Sequence, residues 1–181
     1  HPLEDAFLAF TKGWDVRRVA YAASFGTDQL EYEYVHLATC SELLEKFDGV
    51  SVREDSAVRQ CEEWFDCDRA VHVLDPVMLL TAEHYAHLAE LSSERPCKGK
   101  ILSYVLDQDN SKKYILERVE GWLAKESHNA YVPDRDRNIP LEKRIVPSIR
   151  QWLSCFADAE FVVTDSFHGC VLSGLFHKPF I

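Results

Sequence analysis

The stretch AEFVVTDSFHGCVLSGLFHKPFI, residues 159–181, decides the fold. Its apolar run at 161–163 stops at a polar turn, and a small-residue apolar stretch follows at 170–176. A Lys-Pro pair then introduces another apolar run. This order is typical of a buried strand, a tight turn, a short helix and a second strand. Backbone N–H groups and the dipole at such a helix start favour an anion, so the turn is a candidate active-site position.

The same alternation of strand and helix extends through the rest of the chain. Strands are predicted at residues 16–24, 49–53, 70–74, 100–106 and 130–132, with helices between them. The predicted helix caps are Asp55 or Ser56, Thr81, Ser111, and Ser148 with Gln151. Strands that alternate with helices predict an α/β fold of parallel sheets joined by right-handed crossovers, with helices on both faces.

A polar segment at 92–99 divides the chain into two strand–helix series. We therefore predict a first domain at 1–91, a linker at 92–99 and a second domain at 100–181. The proline-rich and charged segment 133–147 is predicted to be a loop, either a lid or part of the acceptor site. His1 is not a natural start and Ile181 ends inside a predicted strand, so we expect a piece of a longer protein.

Composition limits the partners of the chain. A formal net charge of −10 without a basic stripe argues against nucleic acid and anionic membrane as main partners. The 46% hydrophobic content is typical of a globular chain, and no apolar run is long enough to cross a membrane.

The six cysteines form no CxxC pair, and no histidine pattern completes a zinc site around Cys61 and Cys67. We therefore predict no metal site. Cys155 and Cys170 lie in apolar segments, where a free cysteine behaves as a small hydrophobic residue. This pattern indicates a reducing, cytoplasmic setting.

Polar residues, in one case together with a glycine, follow most of the predicted strands. They are Ser24 and Gly26, Arg53 and Glu54, Asp75, Asp107, and Asp165 with Ser166 and His168. Because the carboxyl ends of parallel strands share one edge of a sheet, these groups converge within each half. Arg53 is suited to grip a carboxylate or phosphate through two hydrogen bonds, and His168 can act as an acid or base. The plainer interpretation is that they cap helices and form surface ion pairs.

Five segments carry a resemblance to a known family. YAASFG (21–26), VSVRED (50–55), HVLDP (72–76), VTDSFHG (163–169) and HKPF (177–180) occur in the order and rough spacing of the polysaccharide pyruvyl transferases. The chain resembles that family over nearly its whole length. The resemblance implies two Rossmann-like domains facing a cleft, as in GT-B glycosyltransferases, with the N-terminal part and the extreme C-terminus missing.

The resemblance also implies an activity, which is transfer of enolpyruvyl from phosphoenolpyruvate to a glycan sugar, giving a pyruvate ketal and phosphate in exopolysaccharide biosynthesis. The implied catalytic residues are His168, Arg53 and Asp165, with Glu54 as an alternative base to Asp165. The implied substrate-binding residues are Ser24, Phe25, Gly26, Glu54, Asp75, Ser166, Gly169 and Lys178. No cofactor or metal is expected; the partners are phosphoenolpyruvate and a glycan or lipid-linked oligosaccharide, met in the cytoplasm or at the inner membrane face.

Two alternatives stay open. The same fold suits a GT-B glycosyltransferase that uses a nucleotide sugar, because a helix N-terminus also binds a diphosphate. A non-catalytic module that binds an anion is the other. Its main support is Ser166, which stands where well-studied members of the family carry an arginine.

Overall fold

The computed structural model describes residues 3–130 and 146–181. The chain forms two compact units, one up to Leu79 and one from Leu80. Each unit contains a small parallel sheet flanked by helices, which confirms the predicted α/β fold. Among the described residues, no helix has the length and apolar character that a membrane span requires. The predicted loop at 133–147 lies outside the described ranges, apart from its last two residues.

The first unit alternates short strands with helices. In chain order it contains α1 (Leu3–Ala6), a 3-10 turn (Ala9–Thr11), β1 (Val19–Ala23), α2 (Tyr34–Leu44), β2 (Gly49–Val52), α3 (Asp55–Phe65), β3 (Val71–His72) and a second 3-10 turn (Pro76–Leu79). The strands are parallel in the order β1-β2-β3, so their carboxyl ends share one edge of the sheet.

The core of this unit joins one face of its sheet to α2 and α3. Val50 and Val52 are buried and cluster with Cys40, Cys61 and Phe65. Side chains alternate along a strand, so the two valines of β2 share one face. Burying an aliphatic side chain of this kind contributes about 1.5–3 kcal/mol, and these contacts therefore fix β2 against the helices.

A bulge interrupts β1 just before its carboxyl end. The register with β2 shifts between Ala20 and Ala23, and Ala22 has a left-handed φ of 51°. Ser51 of β2 stabilises the bulge, because its Oγ donates to the Ala20 carbonyl (3.1 Å) and accepts from the Ala22 N–H (3.0 Å). A left-handed backbone costs a non-glycine residue roughly 1–2 kcal/mol. Bulges often redirect a chain beside a functional site, and Ser24 follows this one directly.

The second unit contains four helices and three strands in its described part. They are α4 (Ala82–Glu90), β4 (Ile101–Tyr104), α5 (Asn110–Leu123), β5 (Ser127–Asn129), α6 (Ile149–Asp158), β6 (Phe161–Thr164) and α7 (Phe167–Leu175). The strands are parallel in the order β5-β4-β6. Phe180 bridges Val162 of β6 in parallel, so the predicted run after α7 does extend this sheet.

Helices cover both faces of the second sheet. On one face, Ile101 and Val163 are buried with Val119 of α5. On the other face, the ring of Tyr104 contacts the rings of Trp152 (5.5 Å) and Phe156 (5.7 Å) from α6. Helix α4 packs against α6, which explains why the second unit begins at Leu80, ahead of the predicted linker at 92–99. The domain limits of the predicted scheme stay a prediction.

Two predicted helix caps are wrong. Helix α3 begins at Asp55, so Glu54 takes the cap position without a side-chain cap, and Ser56 donates instead to Asp28 (2.9 Å). Helix α5 begins before Ser111, and Asp109 caps it by accepting from the backbone of residue 112 (2.9 Å).

The other two caps have different outcomes. Thr81 takes the cap position of α4, but its hydroxyl lies 2.9 Å from His84 Nδ1 and makes no side-chain cap bond to the helix. Ser148 is confirmed as a cap, because its Oγ accepts from the Gln151 N–H (3.2 Å).

Of the strand predicted at 130–132, residues 131 and 132 lie outside the described ranges and Ala130 is not part of a strand; the observed strand β5 lies just before it, at Ser127–Asn129. Its residues are weak strand formers, so parallel pairing with β4 sets its position rather than local preference.

Candidate functional site

Four predicted site residues meet at the carboxyl edge of the first sheet. Ser24 follows β1, Arg53 and Glu54 follow β2, and Asp75 follows β3. The backbone N–H of Arg53 donates to the Ala23 carbonyl (3.0 Å), which holds the ends of β1 and β2 together. Parallel pairing therefore brings together groups that are distant in the sequence, as predicted for this half of the chain.

The guanidinium of Arg53 is the centre of this edge cluster. Its Nη1 donates to Asp75 Oδ2 (2.6 Å), and its Nε donates to Glu54 Oε1 (3.3 Å). The Arg53 side chain is 24% exposed and that of Asp75 only 2%. Burial alone would lower the pKa of Arg53, but the hydrogen bonds that its guanidinium donates to Asp75 and Glu54 outweigh this effect, and the pKa is raised. Arg53 is therefore a fixed cation facing partly into solvent.

Both carboxylate oxygens of Asp75 accept hydrogen bonds, one of them from Arg53. Its other oxygen, Oδ1, accepts from the Val77 N–H (2.8 Å) in the following 3-10 turn. A buried carboxylate with a paired guanidinium and a backbone donor is satisfied, whereas removal of either partner would leave a buried charge. Asp75 thus holds Arg53 in position.

Glu54 has one satisfied and one unsatisfied oxygen. Oε1 accepts from the Ser24 hydroxyl (2.6 Å) and from Arg53. Oε2 is buried and has no hydrogen-bond partner among the described residues. A buried acceptor without a partner costs about 1–3 kcal/mol, which a hydroxyl donor from a bound molecule would relieve.

The neighbouring Phe25 and Gly26 support the cluster. The ring of Phe25 stacks on Phe65 (5.7 Å) and meets Trp64 edge-on (5.5 Å), which is a core contact. Gly26 has a φ of +70°, where a side chain is strained, and its N–H donates to Ser24 Oγ (3.1 Å). The structure therefore gives Phe25 a packing contact and Gly26 a turn conformation.

A cavity of about 160 Å³ lies beside this edge, and its wall includes Ser24 and Phe25. The remaining lining residues are Leu3, Ala6, Phe7, Ala20, Ala23, Tyr32, Leu44, Phe47, Val50, Val52 and Cys61. This described lining contains no charged side chain, so an anionic ligand would gain no ion pair there.

The polar turn after β6 is used differently. Asp165 accepts from the backbone N–H groups of Leu106 (2.7 Å) and Asp107 (3.1 Å), and from Lys112 Nζ (2.9 Å). Burial raises the pKa of Asp165, but these hydrogen bonds outweigh it and the pKa is lowered. A carboxylate with a lowered pKa and three donors is a weak proton acceptor. The geometry gives Asp165 the task of tying the end of β4 to the end of β6.

Ser166 and Gly169 form the start of α7. Ser166 is buried and its Oγ accepts from the Gly169 N–H (3.3 Å), so it caps the helix. A Cβ at Gly169 would overlap the side chain of Thr164. Thr164 is held in turn by its bond to the Tyr104 carbonyl (2.7 Å). Gly169 is therefore required for the close packing of α7 on β6.

His168 lies in the first turn of α7, half-buried, with its ring 5.3 Å from that of Phe167. Lys178 comes after the helix has ended and donates its backbone N–H to the Ser173 carbonyl (2.8 Å). A nine-residue helix is about 13 Å long, so His168 and Lys178 lie at opposite ends of α7. The structure does not bring these two predicted anion ligands together.

A comparison with models of known protein families gives a match. The family model described as Polysaccharide pyruvyl transferase matches residues 1–181. The chain belongs to the polysaccharide pyruvyl transferase family. It is therefore a transferase by family, and this finding confirms the resemblance seen in the sequence. No curated protein matches the chain.

The sequence analysis missed one residue that bonds to the predicted site residues. Lys112 lies in the first turn of α5, and its Nζ bonds both Asp165 and the Asp107 carbonyl (2.6 Å). Hydrogen bonding to Asp165 raises the pKa of Lys112. A lysine three residues after the capping Asp109 is a signal that could have been noticed, although its partner Asp165 is distant in sequence.

The sequence showed no metal-binding pattern, and the prediction of no metal site is not tested by the structure. Cys97, His128 and Cys155 nevertheless place their ligand atoms within 4.8 Å of one another. Hydrogen bonding to Cys155, together with burial, raises the pKa of the Cys97 thiol, while the same bond lowers that of Cys155. Burial lowers the pKa of His128, with a smaller effect of Lys100. The three residues are far apart in sequence, so spacing alone did not reveal them.

Proposed function

We propose that the chain transfers the enolpyruvyl unit of phosphoenolpyruvate to two hydroxyls of a glycan sugar, forming a pyruvate ketal and releasing phosphate. The observation that carries this proposal is the position of Arg53, a cation held by Asp75 at the carboxyl edge of the first sheet. The family supports the reaction class. The donor and acceptor are our proposal.

The chemistry of the donor matches an arginine at this position. Phosphoenolpyruvate carries a carboxylate and a phosphate, and a guanidinium can bind either through two parallel hydrogen bonds. The Arg53–Asp75 contact of 2.6 Å would anchor the guanidinium. The contact of Arg53 with Glu54 is longer, at 3.3 Å, and is the one that a donor oxyanion would replace.

The reaction is an addition followed by a substitution. The first sugar oxygen bonds to the enol carbon while a proton reaches the methylene carbon. The second sugar oxygen then bonds to the same carbon, and the bond between that carbon and the phosphate oxygen breaks. The two hydroxyls lose two protons in total. One replaces the proton that the methylene carbon gains, and the other leaves with phosphate or goes to solvent. No electron is gained or lost overall, so the proposal needs no redox cofactor.

We assign the role of base to Glu54 rather than Asp165. Glu54 Oε2 is a buried acceptor without a partner among the described residues, and a sugar hydroxyl is a suitable donor to it. Asp165 is occupied by three donors and its pKa is lowered. The acid role that the family resemblance implies for His168, which lies in the first turn of α7, stays a prediction.

The acceptor and the location follow from the proposed reaction. We propose that a glycan or a lipid-linked oligosaccharide supplies the two hydroxyls, and that the protein meets it in the cytoplasm or at the inner membrane face. Neither point depends on a membrane-spanning segment in the described residues.

A donor comparison tests the proposal. Thermal unfolding of the full chain is measured with phosphoenolpyruvate, with a nucleotide sugar, and with inorganic phosphate plus pyruvate as a matched control. A donor present at 100 times its Kd stabilises the folded state by about 2.7 kcal/mol, so phosphoenolpyruvate should raise the melting temperature by several degrees. A shift with the nucleotide sugar and none with phosphoenolpyruvate would overturn the proposal in favour of a glycosyltransferase.

An activity assay is the second test of the proposal. Full-length protein incubated with phosphoenolpyruvate and isolated surface glycan should release phosphate and add pyruvate to the glycan in equal amounts. Binding of phosphoenolpyruvate with hydrolysis alone, or with no reaction on any isolated glycan, would contradict the transfer step and favour a module that only binds anions.

A further inference from the structure

Three side chains that the proposed reaction does not use meet inside the second unit. Cys97 lies in the turn that precedes β4, His128 is the middle residue of β5, and Cys155 lies on α6. Their Sγ and imidazole nitrogen atoms lie within 4.8 Å of one another. Cys97 and Cys155 are 0% and 1% exposed, whereas His128 is half-buried.

The fold explains why these three residues meet. His128 pairs with Leu102 of β4, and Leu102 pairs with Val162 of β6, so the three side chains share one face of the sheet. Leu102 and Val162 are fully buried on that face. Tyr104, two residues beyond Leu102, packs its ring on Trp152 and Phe156 of α6. The imidazole of His128 is therefore directed to the side on which α6 carries Cys155.

The types and spacing of the ligand atoms suit zinc. Zinc prefers thiolate and imidazole ligands at about 2.3 Å and 2.0 Å, which places tetrahedral ligand atoms about 3.3–3.8 Å apart. A set already within 4.8 Å needs only a small inward movement to reach these distances. Two cysteines and one histidine leave a fourth tetrahedral position that a water molecule can fill.

We propose that Cys97, His128 and Cys155 bind one zinc ion. Both thiols lose their protons to solvent when the ion binds, and His128 coordinates as the neutral imidazole. Two protons are released for each zinc ion bound, and neither the metal nor the sulfur atoms change oxidation state. The ion would join the turn before β4, strand β5 and helix α6, and so hold three separate segments of the second unit together.

The cluster lies away from the polar turn that follows β6. Cys97 leads into the amino end of β4, while Asp165 and Ser166 follow the carboxyl end of β6. The two groups therefore lie at opposite edges of one parallel sheet. Loss of the metal should lower the thermal stability of the chain, and donor binding should be affected only through unfolding.

Cobalt titration of the full chain tests this proposal. Metal-free protein is prepared with a chelator under reducing, oxygen-free conditions and titrated with Co²⁺. The expected spectrum shows a thiolate-to-cobalt charge-transfer band and intense visible bands of tetrahedral cobalt, which saturate at one ion per chain and disappear when Zn²⁺ is added. Cys97→Ser and Cys155→Ser should each weaken cobalt binding by at least about 100-fold.

Cys170→Ser is the matched control, since Cys170 lies in the same unit on α7 and outside the cluster. It should leave the spectrum unchanged. The proposal is overturned if the wild-type chain gives no such spectrum, if Cys97→Ser keeps it, or if Cys97 and Cys155 are joined by a disulfide after reducing purification. Should a serine variant fail to fold, the melting temperature of the wild type decides: it should rise with Zn²⁺ over chelator, and no change contradicts the site.

Discussion

The two sheet edges carry similar polar residues but use them for different tasks. At the edge of the first sheet, side chains bond to one another. Ser24 donates to Glu54, and Arg53 joins Glu54 to Asp75. The result is a connected group of charges in which one carboxylate oxygen has no partner among the described residues.

At the edge of the second sheet, side chains bond mainly to the backbone. Asp165 accepts from the N–H groups of Leu106 and Asp107, Ser166 accepts from Gly169, and Thr164 donates to a carbonyl of the neighbouring strand. These bonds replace backbone pairs that strand ends and helix starts lack. Most of the VTDSFHG motif is thus explained by the fold.

The comparison separates binding residues from residues that hold the fold. A side chain that satisfies a backbone group cannot leave it without exposing an unpaired N–H or carbonyl. A side chain bonded to another side chain can exchange that partner for a ligand. By this criterion the Arg53 cluster is the better candidate for substrate contact.

The largest expected effect is on Arg53. Arg53→Ala should lower kcat/KM for phosphoenolpyruvate by at least about 100-fold, because a charge-assisted contact to the donor is lost and Asp75 loses its guanidinium partner. Arg53→Lys should recover part of the activity, since lysine keeps the charge but not the two parallel donors. Steady-state phosphate release measures both variants.

The control for Arg53 is Arg59→Ala. Arg59 is an exposed residue of α3 that pairs only with Glu63 at 3.6 Å among the described residues, and its loss should change neither activity nor stability appreciably. Equal activity of Arg53→Ala and Arg59→Ala would remove the distinction between the two sheet edges.

The next effect is on stability and concerns Gly169. Gly169→Ala should destabilise the second unit by about 2–3 kcal/mol, because the new Cβ overlaps Thr164 and α7 must move away from β6. Gly174→Ala, on the same helix with open space around its Cβ, should be neutral or stabilising by up to about 1 kcal/mol. Urea unfolding followed by circular dichroism compares them. Similar unfolding midpoints would show that Gly169 is not a packing residue.

The sequence was sufficient for the pattern that organises each unit. Period-two and helical spacing identified the apolar faces of β2, α3 and β6, and strand order then placed Ser24, Arg53 and Asp75 at a common edge. Parallel topology makes this convergence general, so it does not require knowledge of any contact.

Contacts between side chains that are distant in the chain could not be predicted from the sequence. Neither the choice of Asp75 over Asp55 as partner of Arg53 nor the pairing of Lys112 with Asp165 follows from spacing, because each depends on where two separate elements meet in space. Local preference also failed where pairing with a neighbouring strand overrides it, as it does in β5.

A smaller effect is expected for Asp165 and should depend on pH. The folded state lowers the pKa of Asp165, so folding favours its ionised form. The stabilisation is therefore fully present above the unfolded pKa of about 4 and is lost as pH falls through the lowered folded value. Asp165→Asn should cost about 1–2 kcal/mol at pH 7, a figure reduced because the Asp165–Lys112 pair is partly exposed.

Chemical unfolding at several pH values measures this effect. The difference between the wild type and Asp165→Asn should shrink below about pH 4. Asp107→Asn changes a side chain in the turn after β4 but keeps the N–H that donates to Asp165, so it should show a smaller difference at pH 7. A constant difference across the pH range would contradict the assigned role of the ionised carboxylate.

The smallest effect concerns Ser166, the position at which the resemblance to the family implies an arginine. If Ser166 acts only as a cap, Ser166→Ala should cost about 1 kcal/mol, as should Ser148→Ala at the start of α6. Both variants should bind phosphoenolpyruvate with the affinity of the wild type, measured by calorimetry on folded protein. A loss of affinity confined to Ser166→Ala would return this residue to the donor site, and the second sheet edge would then share the binding function that we assign to the first.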